Sequence, residues 1–137
     1  MVNEYTRATG PRELVSSPDG CGDMGISVEA QDAVYGRPAA GMEVRLERMA
    51  DTRWVLDGKS EIGHEGHVRE WLTLDLSRGL YRVVFSGERY FGALGLSSAY
   101  PEISVVFRLL GEQDASVYKI QVWLSPYSYS TNFGSRI

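Results

Sequence analysis

From residue 26 onward apolar and polar side chains alternate with a period of two, and Gly, Pro, Asn or Asp interrupts the alternation at short intervals. Successive residues of a β-strand point to opposite faces, so this pattern predicts half-buried strands separated by tight turns. The expected strands cover 26–33, 42–49, 53–60, 67–71, 80–86, 103–110, 116–124 and 127–133. Eight strands fit an all-β, Ig-like sandwich of two four-stranded sheets. One short helix is expected over 88–94, between Gly87 and Gly95. Residues 1–25 contain Gly10-Pro11, Pro18-Asp19-Gly20 and Gly22 but no hydrophobic period. Such a segment buries too little apolar surface to offset the entropy of ordering it, so 1–25 reads as a flexible arm and 26–137 as the domain.

The same alternation sorts side chains by face. In the first strand Ile26, Val28 and Ala30 share one side, and Ser27, Glu29 and Gln31 share the other. In the seventh, Tyr118, Ile120, Val122 and Leu124 form an apolar side opposite Val117, Lys119, Gln121 and Trp123. Glu29 and Lys119 are therefore expected on faces turned away from the core.

Length and charge narrow the possible partners. A chain of 137 residues suits one domain with a proper core. A net charge of −4 with scattered basic residues does not make a phosphate-tracking surface, so no nucleic acid is expected. No stretch approaches the roughly 18 apolar residues of a membrane span, and the N-terminus lacks the apolar core of a signal peptide. A cytoplasmic protein with no membrane partner is the expectation. The single cysteine, Cys21, cannot close an internal disulfide.

Several residue groups carry weaker chemical signals. His64 and His67, three apart, fall short of the three protein ligands of a typical catalytic zinc site, so no metal and no cofactor are expected. Ser125, Ser128, Ser130 and Ser135 offer hydroxyls without the aligned base that a serine nucleophile needs. No helix follows the 36–41 segment, which reads as a hairpin turn rather than a phosphate cradle. Asp75, Glu88 and Glu102 read as solvated or capping carboxylates, and Trp54, Trp71, Tyr127 and Tyr129 as core or interface residues.

Three separated segments carry a more specific signal. Ser125-Pro126-Tyr127-Ser128-Tyr129-Ser130-Thr131-Asn132-Phe133-Gly134-Ser135 is similar to a terminal motif L-S-P-x-x-Y-S-T-Y-R-G-S. Gly36-Arg37-Pro38-Ala39-Ala40-Gly41-Met42-Glu43-Val44-Arg45-Leu46 is similar to a first-hairpin motif, and Tyr100-Pro101-Glu102-Ile103 to F-F-P-E. In this order they resemble the transthyretin and hydroxyisourate hydrolase family, over about residues 26–135. The resemblance implies a transthyretin-like sandwich assembled as a homotetramer, a dimer of dimers. The outer faces bearing Glu29 and Lys119 would then line a channel that takes a small-molecule substrate or ligand.

The family's hydrolases use a histidine on the first strand, an arginine in a D-G-R turn, a histidine in an H-Y-H strand and the terminal Y-R-G-S. Ile26-Ser27-Val28-Glu29 aligned with L-S-V-H puts Glu29 at the first histidine. Glu65-Gly66-His67 puts His67 at the arginine, and Val117-Tyr118-Lys119 puts Lys119 at the second histidine. Asn132-Phe133-Gly134-Ser135 stands for Y-R-G-S, so a second arginine has become Phe133, and Arg136-Ile137 extend past the usual end. Three of the replacements, Glu29, His67 and Lys119, are ionisable, which favours a changed site over a lost one. Glu29, His67 and Lys119 are the expected catalytic residues. Ser27, Gln121, Trp123, Ser130, Thr131, Asn132, Phe133 and Ser135 are the expected substrate contacts. Three readings stand open: an enzyme opening or closing a small polar ring by acid/base chemistry, a ligand carrier, and a structural tetramer in which Glu29 and Lys119 form only a cross-strand ion pair.

Overall fold

A computed structural model describes residues 25–74, 76–110 and 117–136. The expected arm, except Gly25, lies outside the described residues, as do Cys21, Asp75 and Ser116. Eight strands form two four-stranded sheets. They are β1 (Gly25–Asp32), β2 (Arg37–Pro38), β3 (Glu43–Ala50), β4 (Arg53–Glu61), β5 (Gly79–Phe85), β6 (Ile103–Leu109), β7 (Val117–Ser125) and β8 (Ser128–Arg136). The first sheet runs β2-β1-β7-β8 and the second β4-β3-β5-β6. β1 and β7 are parallel, whereas the other neighbours are antiparallel.

The inward sides of the strands meet as the alternation requires. Ile26, Val28 and Ala30 of β1 and Tyr118, Ile120, Val122 and Leu124 of β7 are buried against Val44, Leu46, Tyr81, Val83, Phe85 and Ile103 of the second sheet. Each large apolar side chain so buried contributes about 1.5–3 kcal/mol. The helix α1 (Gly87–Ala93) lies one residue earlier than expected and buries Phe91. Among the described residues no helix is long and apolar enough to cross a membrane.

One expected strand is corrected. Segment 67–71 makes a single bridge, His67 to Glu29, and then winds into a 3-10 turn, Arg69–Thr73. Val68 and Trp71 are its buried side chains. They are three apart, which suits three residues per turn rather than a strand's period of two. The turn runs so close to β1 that a Cβ on Gly25 would fall 1.9 Å from the Leu72 carbonyl oxygen. The remaining strand is the short β2, where Pro38, lacking an N–H, sits on the edge of the sheet.

The end of β1 is fixed by a buried carboxylate. Asp32 Oδ1 accepts hydrogen bonds from the backbone N–H groups of Val34 and Tyr35, at 2.8 and 3.0 Å. Its Oδ2 accepts from the Tyr90 hydroxyl at 2.8 Å, tying helix α1 to the sheet. Burial, and then the hydrogen bond to Asp32, push the Tyr90 hydroxyl up to about 12.

Candidate functional site on the outer face of the first sheet

Register decides which side chains share the outer face. β1 lies beside β7 with Ser27 opposite Lys119, Glu29 opposite Gln121 and Gln31 opposite Trp123. β8 continues the rows, with Gly134 opposite Lys119, Asn132 opposite Gln121 and Ser130 opposite Trp123. On the other side of β1, His67 bridges to Glu29, flanked by bonds from Ala30 N–H to the Gly66 carbonyl and from Val68 N–H to the Val28 carbonyl. That pattern marks His67 and Glu29 as a non-hydrogen-bonded pair, whose side chains share a face and approach closely. One row thus runs His67, Glu29, Gln121, Asn132.

Glu29 is the centre of this row. Its Oε1 accepts from Gln121 Nε2 at 3.2 Å and its Oε2 from the Ser27 hydroxyl at 3.1 Å. The Lys119 ammonium stands 3.6 Å from Oε2 and is half exposed. An ion pair this open is worth about 0–1 kcal/mol to the fold, too little to explain the cluster by stability alone. What it does provide is orientation: both carboxylate oxygens are engaged from below, and a cation waits beside them. Trp123 stands on the same face, 42% exposed, one row away. In a single chain this face is an open surface, and the geometry provides a base, an ammonium and an uncovered aromatic ring side by side.

His67 faces a second feature. Its Nε2 lies 3.8 Å from Glu65 Oε1, and no hydrogen bond joins it to Glu29. Gly63, His64, Glu65, His67 and Arg69 line a concavity of about 330 Å³ at this turn. Among the described residues no group of three His, Cys, Asp or Glu side chains is placed to hold a metal ion.

The structure brings Ser27, Glu29, Lys119, Gln121, Trp123, Ser130 and Asn132 onto one face, with His67 at its edge. It does not bring Thr131 and Phe133 there. Thr131 is opposite Val122 and Phe133 opposite Ile120, so both turn to the inner face. Phe133 stacks on Tyr118 at 5.7 Å and packs beside Phe107 of the second sheet at 5.7 Å, at the β8 edge of the sandwich, where it stays 48% exposed. The Ser135 backbone pairs with Tyr118, and its side chain lies outside the described residues. Gln121, expected as a substrate contact, has an amide donor engaged by Glu29. Sequence reasoning did not single out Glu65 and Arg69. The available signal was Gly63 and Gly66, which fold the turn that brings them together.

The model of the HIUase/transthyretin family matches residues 26–134. A 5-hydroxyisourate hydrolase of Salmonella typhi is 32% identical over 138 residues, covering 98% of this chain and 100% of that protein. A probable 5-hydroxyisourate hydrolase of Caenorhabditis elegans is 34% identical over 113 residues, covering 80% of this chain and 81% of the relative. Among solved structures, sea bream transthyretin in complex with thyroxine is similar with a TM-score of 0.75 and 26% identity, covering 81% of this chain and 95% of that one.

Proposed function

The chain belongs to the HIUase/transthyretin family, and from that premise we propose that it is a hydroxyisourate-hydrolase-like enzyme acting on a small polar cyclic metabolite by general acid/base chemistry. The observation that carries the reading is the held carboxylate of Glu29, with the Lys119 ammonium 3.6 Å away on an open face. In ring opening, Glu29 takes a proton from a water that adds to a ring carbonyl. Lys119 stabilises the oxyanion that develops, and the ring C–N bond breaks as its nitrogen accepts a proton relayed by His67. Ring closure is the same sequence in reverse. Ser27 and Gln121 keep Glu29 aimed, while Ser130, Asn132 and Trp123 offer polar and stacking contacts to the ring.

In this reading two dimers place their first-sheet outer faces against each other, and the site becomes a channel shared between copies. Closure matters physically, because excluding water strengthens the Glu29 and Lys119 electrostatics. Glu29, His67 and Lys119 stand where the family's hydrolases carry histidine, arginine and histidine, so hydroxyisourate itself is expected to be a poor substrate. A planar guanidinium fork is not replaced by an imidazole without loss of bidentate recognition.

A second reading, a ligand carrier, is favoured by the similarity to thyroxine-bound transthyretin and by the uncovered Trp123. Spectrophotometric ring opening of hydroxyisourate, run beside the Salmonella typhi relative, separates the two. The enzyme reading expects a rate at least about tenfold below the relative's, above the uncatalysed rate and removed by Glu29→Gln. A rate equal to the relative's would refute the changed specificity. No rate on hydroxyisourate or on a panel of cyclic ureides, with retained ligand binding, would establish the carrier.

A further inference from the structure

A second concavity, of about 340 Å³, lies at the rim of the second sheet, between helix α1 and the turn that leads into β3. We infer that it is a binding site for a small zwitterion with an apolar side chain, an α-amino acid of the leucine type. The ligand's ammonium goes to Glu43 and Glu61, and its carboxylate to Arg89. The inference goes beyond the acid/base reading and uses none of its residues.

Both walls are fixed before any ligand arrives. On one side Gly41 N–H donates to the Ile62 carbonyl at 2.7 Å and Ile62 N–H to the Met42 carbonyl at 2.9 Å. Gly41 takes φ +90 there, a left-handed conformation that favours glycine, so the turn into β3 depends on it. On the other side Ser86 N–H donates to the Glu43 carbonyl at 3.0 Å, and the Tyr90 hydroxyl is anchored on Asp32. Walls already in place need no further ordering when a ligand binds, which favours affinity.

The charges suit a ligand that carries both signs. Glu43 and Glu61 stand directly opposite each other on β3 and β4 and share a face, an arrangement of like charges that is destabilising until a cation offsets it. Lys59 holds Glu43 Oε2 at 3.0 Å, and this hydrogen bond keeps the Glu43 carboxyl below the usual carboxylate range, hence ionised. Glu43 Oε1 meets Arg89 Nη1 from the far wall at 3.4 Å, so a carboxylate oxygen and a guanidinium nitrogen face each other across the concavity. Arg89 is 83% exposed, and its contact is longer than the ion pairs of Arg45, Lys59 and Arg82 on the same sheet, all at 3.2 Å or less. Among the described residues Glu61 is in no ion pair. An ammonium entering between Glu43 and Glu61 meets two carboxylates, while the ligand's own carboxylate takes the Arg89 fork that Glu43 gives up. One long, solvent-screened pair is thereby exchanged for two charge-assisted contacts. The two carboxylates are balanced by Lys59 and Arg89, so a zwitterion enters without leaving excess charge, which a simple amine or a simple acid would do.

The rest of the lining selects the side chain. Ala40, Ala93 and Leu94 supply its apolar part, and Leu94 is 37% exposed, a large apolar side chain left uncovered beside the charges. A branched aliphatic group laid on Leu94 removes apolar surface from water. A volume of about 340 Å³ is at the small end of ligand cavities, which restricts the ligand to a compact one.

The test is calorimetric titration of the full chain with L-leucine. Three fragments run beside it: isoamylamine, which lacks the carboxylate, isocaproate, which lacks the amine, and glycine, which lacks the side chain. Leucine should bind saturably and each fragment at least about tenfold more weakly. The backbone amide resonances of Gly41, Ala93 and Leu94 should move with leucine. Glu61→Gln and Arg89→Gln, both exposed changes away from the core, should each weaken leucine binding by about tenfold or more. No saturable leucine binding, any fragment that binds as tightly as leucine, or an unchanged affinity in either variant would overturn the site. Glu29→Gln should bind leucine as the parent chain does, and ring-opening turnover is measured separately, so failure of the acid/base scheme does not mimic failure of this site.

Discussion

The outer faces of the two sheets carry similar residue types and use them in opposite ways. On the second sheet the charges are tied to one another: Glu47 accepts from both Arg45 and Arg82, Arg45 also reaches Glu102, and Arg82 lies over the Trp54 ring at 4.6 Å. Glu43 is held by Lys59 and Arg89, and the Lys59 hydrogen bond keeps its carboxyl below the usual carboxylate range. On the first sheet one carboxylate is fixed by neutral donors from Ser27 and Gln121, while Lys119, Trp123 and the His67 turn stay accessible. A charged sheet face becomes a candidate site when its ions are aimed without being consumed. The second face is closed electrostatically, whereas on the first the Lys119 ammonium is half exposed and Trp123 is uncovered.

The sharpest break in that contrast is functional. Glu29→Gln and Lys119→Met should each lower kcat for ring opening by about 10²-fold or more, with thermal unfolding close to that of the parent chain. Steady-state kinetics beside a melting curve measures both. Full activity in both variants would leave Glu29 and Lys119 as an ordinary surface ion pair.

The mirror experiment is on the other sheet. Glu47 is nearly buried and serves two guanidinium groups, so Glu47→Ala leaves Arg45 only its Glu102 partner and Arg82 only the Trp54 ring, and should cost about 2 kcal/mol of stability with turnover unchanged. Urea unfolding gives the number. A loss of rate with no loss of stability would invert the assignment of the two faces.

Between the faces, the Tyr90 to Asp32 bond tests the scaffold that holds the end of β1. Tyr90→Phe should cost about 1–2 kcal/mol, because the buried Asp32 oxygen loses its donor. The sign of the pH effect follows from the direction of the shift. The Tyr90 hydroxyl is raised from 10.0 to about 12 on folding, so its contribution is complete below pH 10 and is lost as pH rises toward about 12. Alkaline unfolding curves should show this loss in the parent and its absence in Tyr90→Phe.

The smallest effect is expected at Lys59, which is 55% exposed. Lys59→Ala should change stability by less than about 0.5 kcal/mol at neutral pH, since Arg89 still serves Glu43 and the pair is solvent-screened. A larger loss in urea unfolding would mean that even the exposed rim of the second face is a working part of the fold.

Strand alternation in 26–32 and 117–124 was legible because each strand buries one face completely and leaves the other polar, so parity alone places Glu29 and Lys119 outward. Segment 67–71 was harder. Val68 and Trp71 satisfy a period of three as well as a short strand's looser pattern, and only the approach of Leu72 to Gly25 shows which one the chain adopts. The faces of Thr131 and Phe133 were not legible either. Residues 130–134 alternate between small, polar and aromatic side chains without an apolar period, and a shift of one residue against β7 would exchange their two faces.

Periodicity and turn chemistry are local and the three motifs stand in order along the chain, so the sandwich, the outward placement of Glu29 and Lys119, and the family could be read from the residues alone. Tertiary structure alone decided that His67 bridges Glu29, that Gln121 spends its amide on that carboxylate, and that Arg69 joins the two histidines around one concavity. The first two are contacts between segments far apart in the chain, the third follows from the closure of the turn by the Gly63 and Gly66 hydrogen bonds, and none leaves a periodic trace in the residues that make it.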